Sequence, residues 1–192
     1  LCCDIQENDR IEDYRKMPAN SVNTAFQGVL SNDKCVICLP RHYLGNICRS
    51  TMAQSIFTYM VKKRNLQDQF LIDSAATSTE EIGNSPHRGT IRKLKEVGIP
   101  LVPHRARQIT WSDYKQFDYI IGMDTWNIRN LNRMLKGDPE GKIYKFLAFG
   151  SDGRDIADPW YTGNFDETYD DIMEGCQGFM TYLEENGQIL IR

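Results

Sequence analysis

The most informative stretch of the chain reads Leu44-Gly45-Asn46-Ile47-Cys48-Arg49-Ser50-Thr51, and it lies between two segments with different hydrophobic patterns. Upstream, Cys35-Val36-Ile37-Cys38-Leu39 is a short apolar run typical of a buried strand. Downstream, apolar residues recur at helical spacing from Met52 to Leu66. A loop between a strand and a helix binds oxyanions, because its backbone N–H groups and the helix N-terminus converge on one point. The stretch therefore predicts an anion site, with the Arg49 guanidinium as a bidentate clamp.

Strand and helix patterns alternate along the rest of the chain. Further strands are predicted at 70–75, 117–124 and 144–149, and further helices at 89–97, 127–135 and 165–183. A strand, a crossover helix and another strand form a βαβ unit, in which the two strands are parallel. The alternation therefore predicts an α/β protein built as a three-layer sandwich.

Length and composition limit the chain to an ordinary globular domain. Its 192 residues suffice for one α/β domain with a full core, and 41% hydrophobic with 26% charged residues excludes a disordered chain. Residues 1–33 are polar and lack periodicity, so we predict an N-terminal extension there and the domain itself at 34–192. The formal charge of −3 gives no reason to expect nucleic acid as a partner.

The cysteines and the hydropathy pattern bear on cofactors and location. Six cysteines occur without the paired spacing of a zinc site or of a disulfide scaffold, so neither metal nor another cofactor is expected. No run reaches the roughly 18 apolar residues of a membrane helix, and the N-terminus lacks the pattern of a signal peptide. We therefore expect a cytoplasmic protein without a membrane partner.

The run from Leu44 to Ser50 resembles the phosphate-binding loop of the low-molecular-weight protein tyrosine phosphatases, which reads Cys-Leu-Gly-Asn-Ile-Cys-Arg-Ser. Three later stretches, at 73–78, 104–110 and 155–161, are also similar to that family, and the resemblance covers about 34 to 185. It implies a four-stranded parallel sheet with the phosphate-binding loop after the first strand. It also implies hydrolysis of phosphotyrosine or small aryl phosphates through a cysteinyl-phosphate.

The resemblance assigns roles to individual residues. The catalytic set would be Cys38 as nucleophile, Arg49 as the phosphate clamp and Asp158 as the general acid. Ser74 and His104 would support the loop. Substrate-binding positions would be Gly45, Asn46, Ile47, Cys48, Ser50, Trp160 and Tyr161. The expected partners are phosphotyrosine proteins or small aryl phosphates, and inorganic phosphate.

The spacing of the nucleophile departs from the family pattern, Cys-x5-Arg. The position six before Arg49 holds Tyr43, and the nearest Cys-Leu pair, Cys38-Leu39, lies five residues too early. One alignment places a five-residue insert at Pro40 to Leu44 and keeps Cys38 as the nucleophile. The gapless alignment puts Tyr43 in its place and Pro40-Arg41-His42 in a buried strand, which tolerates neither proline nor charge. We favour the insert; the alternative function is a pseudophosphatase that binds phosphoryl groups without turnover.

Overall fold

A computed structural model describes residues 33–39 and 47–189 of the chain, and for 33–39 it describes the path of the backbone alone. The predicted extension at 1–33 falls almost wholly outside the described residues. Residues 40–46 also lie outside them, and with them Tyr43, Gly45, Asn46 and the segment at issue between the two alignments. The predicted domain boundary stays a prediction.

Strands and helices alternate in the described residues, which confirms the α/β class. The strands are β1 (Asp33–Leu39), β2 (Phe70–Ala76), β3 (Tyr119–Gly122) and β4 (Ile143–Lys145). The helices are α1 (Arg49–Lys63), α2 (Arg88–Glu96), α3 (Trp111–Gln116), α4 (Thr125–Met134), α5 (Pro159–Thr162) and α6 (Phe165–Glu185).

The described strands pair in the order β2-β1-β3-β4, and every pair is parallel. β1 therefore lies inside the sheet, with Cys38 opposite Ala75 of β2 and Gly122 of β3. The chain turns to one side of β1 to make β2 and to the other side to make β3. Sites in open α/β sheets lie at such a reversal, beyond the carboxyl ends of the strands.

Apolar side chains cover both faces of the sheet. Tyr119 and Ile121 of β3 join a cluster with the apolar faces of α1, α2 and α6. Ile120, between them, points to the opposite face and packs with residues of α3 and α4 such as Tyr114 and Leu131. Alternation along a strand produces this division. Among the described helices, none combines the length and the apolar character needed to cross a membrane.

The predicted strand at 144–149 is wrong from residue 146 onward. β4 ends at Lys145, and Phe146–Phe149 form a 3-10 turn instead. Phe146 and Leu147 are adjacent and both buried, which a turn permits on one side of the chain. The turn then leads into Gly150, which lies against Gly178 of α6.

The contact between Gly150 and Gly178 brings two backbones together. A Cβ added at Gly178 would lie 2.8 Å from the Cα of Gly150, and neither backbone can rotate out of the way. Gly178→Ala should therefore lower the free energy of unfolding by about 1–3 kcal/mol, the usual cost of overpacking, despite the better helix propensity of Ala. Urea unfolding measures this. Gln177→Ala, at an exposed neighbour on α6, is the control and should change it by less than about 0.5 kcal/mol. Equal stability of the two variants would contradict the prediction.

Candidate functional site

Arg49, the first residue of α1, is the most buried charged group of the described chain, with 1% of its surface exposed. The positive end of the helix dipole disfavours a cation at this position, so other groups must compensate its charge. Its Nη1 donates to Asp124 Oδ2 at 2.8 Å and to the carbonyl oxygen of Ile156 at 2.5 Å. Its Nη2 donates to Asp158 Oδ2 at 3.1 Å. The guanidinium is thus fixed in one orientation by two carboxylates and a carbonyl.

The two carboxylates are positioned by the helices that they cap. Asp124 precedes α4, and its Oδ1 accepts from the backbone N–H of Asn127 at 2.7 Å. Asp158 precedes α5, and its Oδ1 accepts from the N–H of Trp160 at 3.1 Å, with Pro159 in the first turn. Aspartate is a preferred N-cap because its side chain satisfies an otherwise free N–H. In both residues one oxygen caps a helix and the other binds Arg49.

Two donors in the first turn of α1 remain unused. Arg49 Nε and Ser50 Oγ are buried, and neither has a hydrogen-bond partner among the described residues. A buried polar atom without a partner costs about 1–3 kcal/mol. The helix N-terminus adds partial positive charge at the same place. An oxyanion bound here would satisfy both atoms, as the sequence predicts for this turn.

Cys48 is the residue immediately before α1, and it is buried. Burial raises the pKa of its thiol to about 12, and the negative charge of Asp158 adds to the rise against the opposing effect of Arg49. Since the thiolate is the reactive form, burial disfavours reaction of Cys48 at neutral pH. Its carbonyl oxygen accepts from Thr90 Oγ at 3.2 Å, and Ile47 O accepts from the N–H of His87 at 2.7 Å. Cys48 and Ile47 therefore anchor the end of the loop.

Trp160 and Tyr161 place an aromatic surface directly after Asp158. Trp160 is 41% exposed and Tyr161 is 61% exposed, which is unusual for side chains of this size. The ring of Trp160 stands edge-on to His87, with centroids 5.3 Å apart. His87 in turn stacks on Phe165 at 5.4 Å. A flat exposed ring next to a carboxylate suits an aromatic ligand.

Ser74 and His104 both lie near the end of β2. Ser74 is fully buried, and its Oγ donates to Gln54 Oε1 of α1 at 2.7 Å, so it joins β2 to the helix that begins with Arg49. His104 is half-buried, and burial lowers the pKa of its imidazole, as does Arg107, whereas Asp73 raises it. The predicted contacts with Asn46 lie outside the described residues. Support of the loop by Ser74 and His104 therefore stays a prediction.

Of the site residues expected from the sequence, the structure brings Asp158 to Arg49, which Cys48 and Ser50 flank in the chain. Cys38 is the penultimate residue of β1, and its side chain lies outside the described part of the chain. Sequence reasoning missed Asp124, the closest carboxylate to Arg49. The signal was present, because an aspartate between an apolar strand and a helical pattern is a typical N-cap.

The comparisons with known proteins agree with this geometry. Residues 35–189 match the family model described as "Low molecular weight phosphotyrosine protein phosphatase". The chain belongs to this family, so the predicted family is confirmed.

Individual relatives extend over nearly the whole described region. The low molecular weight protein-tyrosine-phosphatase YfkJ of Bacillus subtilis is 39% identical over 148 residues, which is 76% of this chain and 95% of that protein. A low molecular weight phosphotyrosine protein phosphatase of Schizosaccharomyces pombe is 39% identical over 71% of this chain and 90% of its own length. The crystal structure of YfkJ superposes with a TM-score of 0.75 and 37% identity, covering 81% of this chain and 96% of that one.

The high pKa of Cys48 leads to a direct test. Because Cys48 is a neutral, buried thiol, iodoacetamide should leave it unmodified in the folded protein at pH 8 and alkylate it fully after unfolding in guanidinium. Peptide mapping by mass spectrometry gives the result for each cysteine. Cys176, which is fully buried, is the matched control and should behave in the same way. Alkylation of Cys48 at the same rate in folded and unfolded protein would contradict the assignment.

Proposed function

We propose that the chain hydrolyses phosphotyrosine and other aryl phosphates through a cysteinyl-phosphate on Cys38. The fold would be a three-layer sandwich of four parallel strands, with the phosphate-binding loop after β1. One observation supports this above the others: Arg49 is locked by Asp124 and Ile156 O, with its Nε and the hydroxyl of Ser50 left unpartnered beside Asp158. These groups supply what an aryl phosphate needs, namely donors for the phosphoryl oxygens and an acid for the leaving group.

In the first step the Cys38 thiolate would attack phosphorus, and the bond to the phenolic oxygen would break. Asp158, when protonated, would give its proton to that oxygen, so the leaving group departs as a phenol. The guanidinium of Arg49, the Ser50 hydroxyl and the loop N–H groups would bind the equatorial oxygens. In the second step water attacks phosphorus, Asp158 takes its proton, and the Cys38 thiolate leaves with phosphate released.

Asp158 must change partner in this sequence. Its Oδ2 accepts from Arg49 Nη2 in the free protein, whereas a bound phosphoryl group would compete for the same N–H. The other oxygen of Asp158 caps α5, so the carboxyl group would stay in place when Arg49 Nη2 donates to the substrate instead. Trp160 and Tyr161, on the same short helix, would contact the aromatic ring of the substrate.

The position of β1 favours Cys38 as the nucleophile. Cys38 is the penultimate residue of β1, which the structure describes from Asp33 to Leu39. Cys38 therefore lies at the carboxyl edge of the sheet, which is also where the turn with Arg49 begins α1. The insert alignment needs this arrangement, since it keeps Cys35 to Cys38 within the strand.

The second candidate function is binding without turnover. The observation in its favour is Tyr43, which occupies the place six before Arg49 where the family pattern has its nucleophile. The donors of Arg49 and Ser50 bind an oxyanion whether or not a thiolate is nearby. Such a pseudophosphatase would bind inorganic phosphate, or a phosphotyrosine protein whose phosphate ester it would leave intact. Location in the cytoplasm is a prediction for either function.

Asp158→Asn should separate the two functions. Turnover of phenyl phosphate should fall by about 10², the usual contribution of a general acid, and turnover of an ester with a strongly acidic leaving group should fall far less. Phosphate should meanwhile bind more tightly, because Arg49 loses a competing carboxylate. Steady-state kinetics and calorimetric titration measure the two effects, with Arg49→Ala as the control that loses phosphate binding. If the unmodified protein shows no turnover and Asp158→Asn binds phosphate more tightly, the pseudophosphatase is favoured.

Two edits of the loop should decide between the alignments, because each recreates Cys-Leu-Gly-Asn-Ile-Cys-Arg in this chain. Deleting Pro40 to Leu44 keeps β1 in register and returns the Cys38 thiolate to the ring of N–H groups, so activity should rise by orders of magnitude. Tyr43→Cys should gain less, because its thiol follows Pro40-Arg41-His42.

The assay is hydrolysis of p-nitrophenyl phosphate, with thermal melting as the folding control. If Tyr43 is a true replacement, the deletion would shift β1 by an odd number of residues and turn its side chains to the opposite faces. The deletion variant would then be unstable and inactive, and Tyr43→Cys would be the faster of the two. That order would refute the insert alignment.

A further inference from the structure

A polar cavity lies where the segment after β2 meets the last turn of α4. Its volume is about 240 Å³, and it is lined by Thr77 to Glu80, Gln108, Arg133 and Met134. None of these residues belongs to the site around Arg49. The volume is below the roughly 300 Å³ at which pockets for drug-sized ligands begin, so the cavity suits a small group.

Buried donors without a partner occur at this cavity as they do at the Arg49 site. Ser78 lines the cavity, is only 6% exposed, and its Oγ has no hydrogen-bond partner among the described residues. Asn130 is not a lining residue but is bonded to Arg133; it is also 6% exposed, and its Nδ2 is unpartnered in the same sense. The described chain holds four such atoms, and the other two are Arg49 Nε and Ser50 Oγ. Each costs free energy unless a ligand satisfies it.

Arg133 supplies a cation at the wall of the cavity. Its Nη2 donates to Asn130 Oδ1 at 3.2 Å, which orients the guanidinium and leaves its other N–H groups available. Within the described residues, no carboxylate oxygen lies within 4.0 Å of it to form an ion pair. Glu80 also lines the cavity, so the formal charges of Arg133 and Glu80 sum to zero. One negative charge on a ligand is therefore better tolerated than the two of a phosphate.

We propose that this cavity binds a carboxylate. Arg133 would contact its two oxygens, and the Ser78 hydroxyl would donate to one of them, since a carboxylate accepts up to about four hydrogen bonds. Asn130 holds the guanidinium in place and has a free donor next to it. The carboxylate belongs either to a free small molecule or to an acidic side chain of a protein substrate, and the second source rests on the proposed function.

Titration with acetate tests the site without any catalysis. The amide resonances of Ser78 and Thr79 should shift in a saturable way, and Arg133→Gln should weaken binding by about tenfold or more, the worth of a charge-assisted bond. Arg92→Gln is the control, because Arg92 is an exposed arginine on α2 that does not line the cavity, whereas Arg133, also exposed, does. Ser78→Ala should weaken binding less than Arg133→Gln. Absence of saturation, or equal effects of the two arginine variants, would overturn the proposal.

A pair of phosphotyrosyl peptides that differ by Glu or Gln beside the phosphotyrosine identifies the source. Tighter binding of the Glu peptide, lost in Arg133→Gln, assigns the cavity to protein substrates. Equal binding of the two peptides, with the acetate result intact, assigns it to a free small carboxylate. Failure of both peptides to bind while acetate does would count against the proposed function and leave the cavity assignment supported.

Discussion

The ion pairs of Arg49 are the constraint on which the other parts of the site depend. A guanidinium that is 1% exposed at the start of a helix would cost several kcal/mol if it were left uncompensated. Three acceptors offset this cost, and they come from the start of α4, from the chain before α5 and from its N-cap. The carboxyl end of β3 and the approach to α6 are thereby fixed relative to the turn that begins α1.

The two aspartates link the starts of α4 and α5 to the geometry of the site around Arg49. Asp124 and Asp158 each use one oxygen to begin a helix and the other to hold Arg49. Replacing either aspartate by alanine would therefore remove a helix cap and one of the three acceptors of Arg49 together. The short helix α5 takes part in this coupling, since its cap places the Asp158 carboxylate and its next residues carry the exposed rings.

Much of the fold could be predicted from hydrophobic periodicity, most clearly at α6, which buries one stripe along its length. The end of the predicted strand at 144–149 could not be predicted in this way. Phe146 and Leu147 are apolar and would suit a buried strand as well as a buried turn. The contact of Gly150 with Gly178 cannot be seen in the local sequence. The partners of Arg49 lie 75, 107 and 109 residues along the chain, so only the folded backbone shows that they meet. Asp158 was found through the family resemblance, whereas Asp124 had only its capping signal.

The strand order has a consequence for how the chain folds during synthesis. β1 lies between β2 and β3, yet Cys35 pairs with Tyr119, which the ribosome adds long after β2 is complete. Until then one edge of an apolar strand, Cys35-Val36-Ile37-Cys38-Leu39, lacks its final neighbour. Open apolar edges pair with other chains, and parallel pairing over such a separation is slow. Nascent chains that end before β3 are therefore the species most in need of a chaperone.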